Sequence, residues 1–562
     1  MSSDAARGAG RNAGGEPAAA PWLRALVIVL GVYRALYHLV YLRDDPFAVA
    51  TVSDGRVYED AAIDVLRHWP LGSEPFYLQG LYVYQLAIPM FWGRLAFALL
   101  LQLAIVGVGW WLFARTLSAL LGARAAVIAL VLALAIPALA FYENKFLSAA
   151  LTVDCSIALL AAWAWVERGG GSKAALACGL AGGLCVLARP NLLLALPFVA
   201  LALWWASRRW LPLACFAIGI AGVLAPMAMR NAVVTGEATV FPAHGGGTSF
   251  YIGNNAKARG VWNPGAVFTG DVSHELDEHG GAGGGSQAER MAEMGRDLYA
   301  RAWRDIADDP GRWLWLECRK LWLLLGNDEL AQDFDVRGER ELIPWAYPFG
   351  LPFGLLLALA AVGVRKWWRA RLDDPSLRAR LLVLAGLVLA TVAANLVFFT
   401  SSQHRLPLAI PLLPLAAVGV VELVEHARDR SWLRAHRVVL AIAGVLALQA
   451  MWPRTPARAP SIAHYYNLAI AYDRVGEPAA AMGAADRAVE LAPQRGDVLI
   501  ERASLRRRAG DFAGAAADLE RLATMPDVPE WIRERARFEA RMVAVEAPPS
   551  SFDVAPRFRP KK

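Results

Sequence analysis

The sequence predicts an all-α polytopic membrane protein that ends in a small helical repeat domain. Three observations lead there. Hydrophobic residues make up 56% of the 562 residues and charged ones 19%, against about a quarter charged in a soluble chain. Apolar runs of roughly 17–22 residues recur along most of the chain, each long enough to cross about 30 Å of hydrocarbon. After Trp452 these runs give way to Ala-rich amphipathic stretches with an internal period.

In chain order, about eleven membrane helices are expected, near 22–42, 94–114, 125–141, 146–166, 174–188, 192–207, 210–228, 346–364, 381–399, 406–424 and 436–452. The first carries Arg24 and Arg34 and ends without a small-residue cleavage site. It reads as a retained helix, not a signal peptide. Basic residues gather in alternate loops: Arg115 and Arg124, Arg168 and Lys173, Arg208 and Arg209, Arg365 to Arg380, and Arg428 to Arg437. The positive-inside rule makes that side cytoplasmic, in agreement with Arg7 and Arg11 in the disordered N-terminal residues 1–20. Loop placement therefore accounts for the net charge of +7, and nucleic acid is excluded as a partner.

Two long segments, 43–93 and 229–345, face the opposite side. The tail joins them if the run Val438 to Met451, only about fourteen residues, crosses with help from its flanks. Cys155, Cys178, Cys185 and Cys215 lie in apolar runs and Cys318 stands alone, so no disulfide framework or metal cluster follows.

The membrane domain thus spans 21–453 and the tail domain 460–545, with a disordered end at 546–562. Self-comparison of the tail pairs Tyr465 with Leu499, Ala469 with Ala503, Gly476 with Gly510 and Ala481 with Ala515. That spacing and the small residues Ala469, Ala481 and Ala488 fit tetratricopeptide repeats. The second unit carries Arg502 and Arg506 where apolar residues are expected, and a helical segment around 528–545 would cap the pair.

Asp54 follows the first helix closely enough to lie near the lipid surface. Val57, Ala61, Val65 and Trp69 then recur every four residues, which suits a helix lying in the interface. Dense aromatics follow, in Pro75-Phe76-Tyr77 and Leu81-Tyr82-Val83-Tyr84. Other polar stretches close or open helices on the same side. They are Phe141-Tyr142-Glu143-Asn144-Lys145, Leu187-Ala188-Arg189-Pro190-Asn191, Arg230-Asn231, His244 to Asn255, Gly326-Asn327-Asp328-Glu329-Leu330 and Gln403-His404-Arg405-Leu406-Pro407.

This layout resembles the GT-C superfamily of glycosyltransferases over roughly residues 20–425, in particular bacterial members of family 39, related to protein O-mannosyltransferases and the lipid A aminoarabinose transferase. Asp54 and Tyr58 match an Asp-x-x-x-Tyr ahead of an interfacial helix, with Gly55 where the family often has a second acid. The resemblance implies a polyprenyl-phosphate sugar as donor and a protein, glycan or lipid hydroxyl as acceptor. It also implies transfer by inverting single displacement at a bacterial inner membrane, on the periplasmic side.

Asp54 is the expected general base. Arg189, Arg405 and Lys145 are the expected cations for the departing lipid phosphate. Tyr58, Tyr82, Tyr84, Glu143, His404, Asn254 and Glu329 complete the expected substrate set. No cofactor is firmly implied, although Glu143 and Glu329 could place a divalent ion.

Two metal-like or phosphate-like signals fail. Gly245-Gly246-Gly247-Thr248 lacks the spacing and lysine of a P-loop. His274 and His279 stand five apart, about 140° around a helix, where a zinc pair needs about 40°. Arg34 and Asp154 lie at similar depth in their helices and are expected to pair with each other. A secondary transporter would need interrupted helices and polar residues at mid-membrane. A scaffold displaying the repeats would leave the aligned Asp, Arg and aromatic residues unexplained. The repeats themselves are expected to offer a protein-binding surface.

Overall fold

The computed structural model describes residues 21–547 except 94, 243–245, 263–286, 348–349, 451, 453–459, 527 and 529. His244, Gly245, His274 and His279 fall outside the described residues. Among the described residues the regular secondary structure is helical, apart from one isolated bridge between Val261 and Thr400.

The membrane part begins with α1 (Pro21–Asp44), α2 (Asp54–Arg67), α3 (Gly80–Met90), α4 (Leu95–Leu121), α5 (Ala123–Leu134) and α6 (Pro137–Glu143). It continues through α7 (Ser148–Glu167), α8 (Gly171–Ala188), α9 (Leu196–Ser207), α10 (Trp210–Thr235), α11 (Gly247–Asn254), α12 (Gln287–Asp308) and α13 (Pro310–Leu324). The single turn α14 (Glu339–Leu342) leads to α15 (Phe353–Ala370), α16 (Pro375–Val397), α17 (Ser402–Arg405), α18 (Ala409–His426), α19 (Arg430–Ala435) and α20 (Arg437–Ala450).

Among the described residues, eight helices are long and apolar enough to cross a membrane, and α5 with α6 makes a ninth if that pair, bent by 68°, counts as one span. This differs from the eleven expected. The expected span 346–364 is α15, whose end carries Arg365, Lys366 and Arg369, and the expected span 436–452 is α20, a shorter apolar helix. Pro137 explains the bend, because it starts α6 without an N–H to continue the ladder of α5. The chain is a multi-pass membrane protein.

Small residues set the tightest crossings. A Cβ on Gly179 would strike the Phe216 carbonyl of α10, and one on Gly363 would strike the Leu415 carbonyl of α18. In lipid, where apolar side chains gain little by leaving the solvent, such close backbone approach is what holds helices together. Ion pairs then gather the basic loops on one face, with Arg124 on Glu425 at 2.6 Å, Arg380 on Glu167 at 2.9 Å, and Lys366 on Glu422.

Inside the bundle the structure corrects one expectation. Arg34 pairs with Glu143, through Nε at 2.9 Å, and not with Asp154. Trp110 donates to the same carboxylate at 2.7 Å. Glu143 ends α6 and is turned inward, whereas Asp154 packs beside Gly109 of α4.

The tail holds α21 (Ile462–Val475), α22 (Pro478–Leu491), α23 (Gly496–Arg508), α24 (Phe512–Ala523) and α25 (Glu530–Glu546). Gly476 and Gly510 occupy matching turns at φ of 83° and 80°, a left-handed conformation that favours glycine. Ala469, Ala481, Ala488, Ala503 and Ala515 are all buried, as close helix packing needs. Arg502 and Arg506 both reach buried Asp518, so an ion network takes the place of apolar packing in the second pair. α25 packs on α23 and α24.

The tail lies on the Asp54 face. The Ser461 N–H donates to the Asp335 carboxylate at 2.7 Å and the Tyr465 hydroxyl to Glu341 at 2.6 Å. The chain therefore comes back from the basic face between Arg437 and Ser461, with α20 packed along α15.

Candidate active site

The site is built where α2, α8 and α17 end on one face. Asp54 is the first residue of α2, where a carboxylate is favoured by the helix dipole. The residue before it, Ser53, sits at φ 50°, ψ −134°, and its Oγ donates to Asp333 at 2.6 Å. A non-glycine residue held in that region stores strain, and here it aims Asp54. Asp333 also shares a hydrogen bond with Asp54. Burial pushes the Asp333 carboxyl up to about 6, opposed by those two contacts. A Cβ on Gly55 would come within 3.2 Å of the Phe146 carbonyl oxygen, so a second acid at this position would have to displace backbone.

Two cavities adjoin at this place. A polar one of about 80 Å³ is lined by Asp54, Tyr58, Gln79, Arg189, Gln332 and His404 among others. An apolar groove of about 430 Å³ runs away from it along Leu193, Leu194, Phe241, Ala394, Val397 and Phe398. Gln79, Arg189, Ser249 and His404 line both, so they stand at the junction.

Arg189 caps the C-terminus of α8 in an extended conformation that throws its side chain towards the junction. Its one hydrogen bond to a described residue runs from Nη1 to the Gln403 carbonyl at 3.2 Å. Burial pulls the guanidinium down to about 10, against the attraction of Tyr58, Tyr142 and Asp54. A buried guanidinium holding one carbonyl has unspent donors, and an anion would satisfy them. The His404 ring packs against Phe399 at a tilt of 34°, with centroids 4.9 Å apart. The Tyr58 hydroxyl donates to Gln79, its ring packs edge-on against Tyr82 at 4.7 Å, and burial raises its pKa.

The structure brings Asp54, Tyr58, Arg189 and His404 together and places the other expected residues elsewhere. Arg405 is spent on backbone, donating to the Gly326 carbonyl at 2.6 Å and the Asp328 carbonyl at 3.1 Å, with Glu329 at 3.5 Å. Lys145 is buried beneath the site, on Glu339 at 2.8 Å and over the Tyr41 ring at 4.3 Å. Neither cation lines either of these two cavities. Tyr82 donates to Gln102 at 2.6 Å and Tyr84 to the Pro70 carbonyl at 2.9 Å. Glu143 serves Arg34, and Asn254 ties the Phe250 and Val397 carbonyls, each at 2.8 Å.

Gln79, Gln332, Ser249 and Asp333 are the residues that the sequence did not single out for this place. Gln79 sits inside the aromatic stretch 75–84, where an amide among rings was a signal of a polar contact.

No protein-family model and no curated protein matches the chain. Among solved structures, the Archaeoglobus fulgidus oligosaccharyltransferase in apo form is similar at 12% identity and a TM-score of 0.40, over 77% of this chain and 55% of that one. ArnT from Cupriavidus metallidurans bound to undecaprenyl phosphate is similar at 15% identity and a TM-score of 0.40, over 94% and 89%. The archaeal oligosaccharyltransferase AglB with an inhibitory peptide and a dolichol-phosphate stands at 13% and 0.36, over 83% and 59%. The chain spans little more than half the length of the archaeal proteins it matches.

Proposed function

We propose that the chain is a GT-C-type, family 39-like membrane glycosyltransferase that moves a sugar from a polyprenyl-phosphate donor to a hydroxyl acceptor. One observation carries this reading: Arg189 stands where an apolar groove meets a polar cavity with Asp54 on its wall. A polyprenyl-phosphate sugar has the same order of parts, an isoprenoid chain, then phosphate, then sugar.

In this reading the chain lies in the groove, the phosphate meets Arg189 and the sugar enters the polar cavity. The acceptor oxygen attacks the anomeric carbon, and the bond from that carbon to the phosphate oxygen breaks on the opposite side. The hydroxyl proton passes to Asp54, and the electron pair leaves on the phosphate, whose growing charge Arg189 stabilises. The configuration at the anomeric carbon inverts. Tyr58 and His404 line the sugar and phosphate ends.

The polar residues that line the cavity gather at one face of the bundle, which favours transfer over transport. By the positive-inside rule this face is periplasmic in a bacterial inner membrane. The tail helices fit tetratricopeptide repeats that offer a protein-binding surface beside the site.

Purified protein in nanodiscs, incubated with a panel of radiolabelled polyprenyl-phosphate sugars and cell-envelope acceptors, should release free polyprenyl phosphate and label an acceptor. The anomeric configuration of the product should be opposite to that of the donor. Absence of turnover with every lipid-linked donor, from protein that is folded and binds no polyprenyl phosphate, would sink the reading.

A further inference from the structure

Helix α21 of the tail touches both segments that meet at Asp54. Asn467, itself buried, donates from Nδ2 to the Asp333 carbonyl oxygen at 2.6 Å. About two turns further along the same face, Arg474 donates from Nη1 to the Thr51 carbonyl at 2.7 Å and to the Thr51 hydroxyl at 3.2 Å. The Ser461 N–H on the Asp335 carboxylate fixes the start of the same helix. A single helix therefore brackets residues 51–54 from one side and 333–335 from the other.

Between the brackets, the Ser53 hydroxyl holds Asp333 while Ser53 itself stays at φ 50°. A strained residue keeps such a conformation only where its surroundings over-determine it. A domain that was only displayed would need a tether and no contact with this loop.

We propose that α21 is a positioning element of the reaction centre. Asn467 and Arg474 hold the Asp333 and Thr51 backbones, so that Asp333 stays against Asp54 and Asp54 stays aimed into the polar cavity. The tail is then part of the catalytic face, and Asn467, Arg474 and Asp333 are positioning residues acting through Asp54. The kinetic arm of the test rests on the transferase reading; the structural arm does not.

The decisive variant in the full-length protein is Asn467→Asp, which keeps shape and loses the donor. We expect kcat to fall about tenfold with KM for the lipid donor unchanged, as a misaimed base and an intact groove require. In an Asp333→Asn background the same change should cost nothing further, because both act through one contact. Backbone hydrogen exchange over 328–337 should speed up in Asn467→Asp.

Unchanged kcat, or a cost that simply multiplies with that of Asp333→Asn, overturns the proposal. If Asn467→Asp does not accumulate, Arg474→Met carries the same readouts, with Arg474→Gln, which keeps a donor, expected to restore most of kcat. If the wild type is inactive with every donor, the transferase reading falls. Hydrogen exchange then decides alone, and unchanged protection over 328–337 overturns the proposal.

Discussion

The chain has two kinds of cationic region on the face that carries Asp54, and they differ in what their donors already hold. Around the cavity, Arg189 is buried, and among the described residues its side chain donates to the Gln403 carbonyl at 3.2 Å. Beneath and beside it, Arg405 grips the Gly326 and Asp328 carbonyls and Lys145 is locked onto Glu339, with Asp45 at 3.9 Å. All three are buried, basic and on one face. Of the three, Arg189 lines the two cavities, while Arg405 and Lys145 are engaged, as struts, with the segments beside them. A cation at a membrane surface is a binding residue only if the fold leaves its donors unsatisfied.

The comparison breaks most visibly at Asp54, on the cavity side. Asp54→Asn keeps the size and most hydrogen bonding but cannot accept the acceptor proton, so turnover should fall about 10²–10⁴-fold. Thermal stability in detergent should stay close to wild type. Rates within a few-fold of wild type, at equal folded protein, would remove Asp54 from the mechanism. On the strut side the matching change is Lys145→Met. It leaves Glu339 and Asp45 buried without their counter-charge, a loss of about 3–5 kcal/mol. The melting temperature should drop sharply while KM for the donor in the surviving protein stays the same.

Most of the expected spans and the matching glycine turns of the tail recur in the structure, because each is a pattern of hydropathy or of turn residues along the chain. Asp54, Arg189 and His404 were legible as members of a set because each stands at or near a helix end, and Tyr58 through its four-residue spacing from Asp54. What sequence does not encode locally is which partner a buried polar group finds. Arg405 differs from Arg189 only through carbonyls of residues 326 and 328, nearly eighty positions away. Asp154 lost Arg34 to Glu143 because the Pro137 bend turned α6 inward. The Ser53 hydroxyl donates to Asp333 across 280 residues of sequence, and nothing in either segment announces it. The short α20 was read as a span on charge alone, and its length is that of a shorter apolar helix.

A pH series sharpens the strut side further. Burial, then the nearby charge of Lys145, pulls His464 down to about 4. An unfolded histidine binds its proton below about 6.5, so between there and about pH 4 the unfolded state holds more protons. Stability from this residue is therefore present above about 6.5 and is lost as pH falls towards 4, by up to roughly 3 kcal/mol. Asp45, raised by burial to about 7, works in the opposite sense. The difference between wild type and His464→Leu isolates the histidine. Melting curves that keep a constant gap across that window would show that it does not titrate as placed. On the cavity side, Arg189→Ala should cost about 1.5–3 kcal/mol in kcat/KM for the lipid donor. Arg189→Lys should recover only part, since an ammonium cannot grip two phosphate oxygens at once. Unchanged donor kinetics in both variants would move the phosphate elsewhere.

The smallest expected effect on catalysis is the most discriminating, and it belongs to Arg405. Arg405→Lys keeps the positive charge at the same height on the same face. If charge near the lipid surface were what mattered, this variant would behave well and Arg405→Ala would lose donor binding. The structure gives the guanidinium a different task, joining the carbonyls of Gly326 and Asp328 in two directions and stacking over Phe353 at 4.6 Å. Lysine has no planar fork for two diverging carbonyls, so one buried acceptor is left without a donor, at about 1–3 kcal/mol. The expected result is a melting temperature lowered in both variants and a KM for the donor within about twofold of wild type in both. A donor KM that rises in Arg405→Ala and recovers in Arg405→Lys would put Arg405 beside Arg189 as a phosphate ligand and erase the distinction between the two regions.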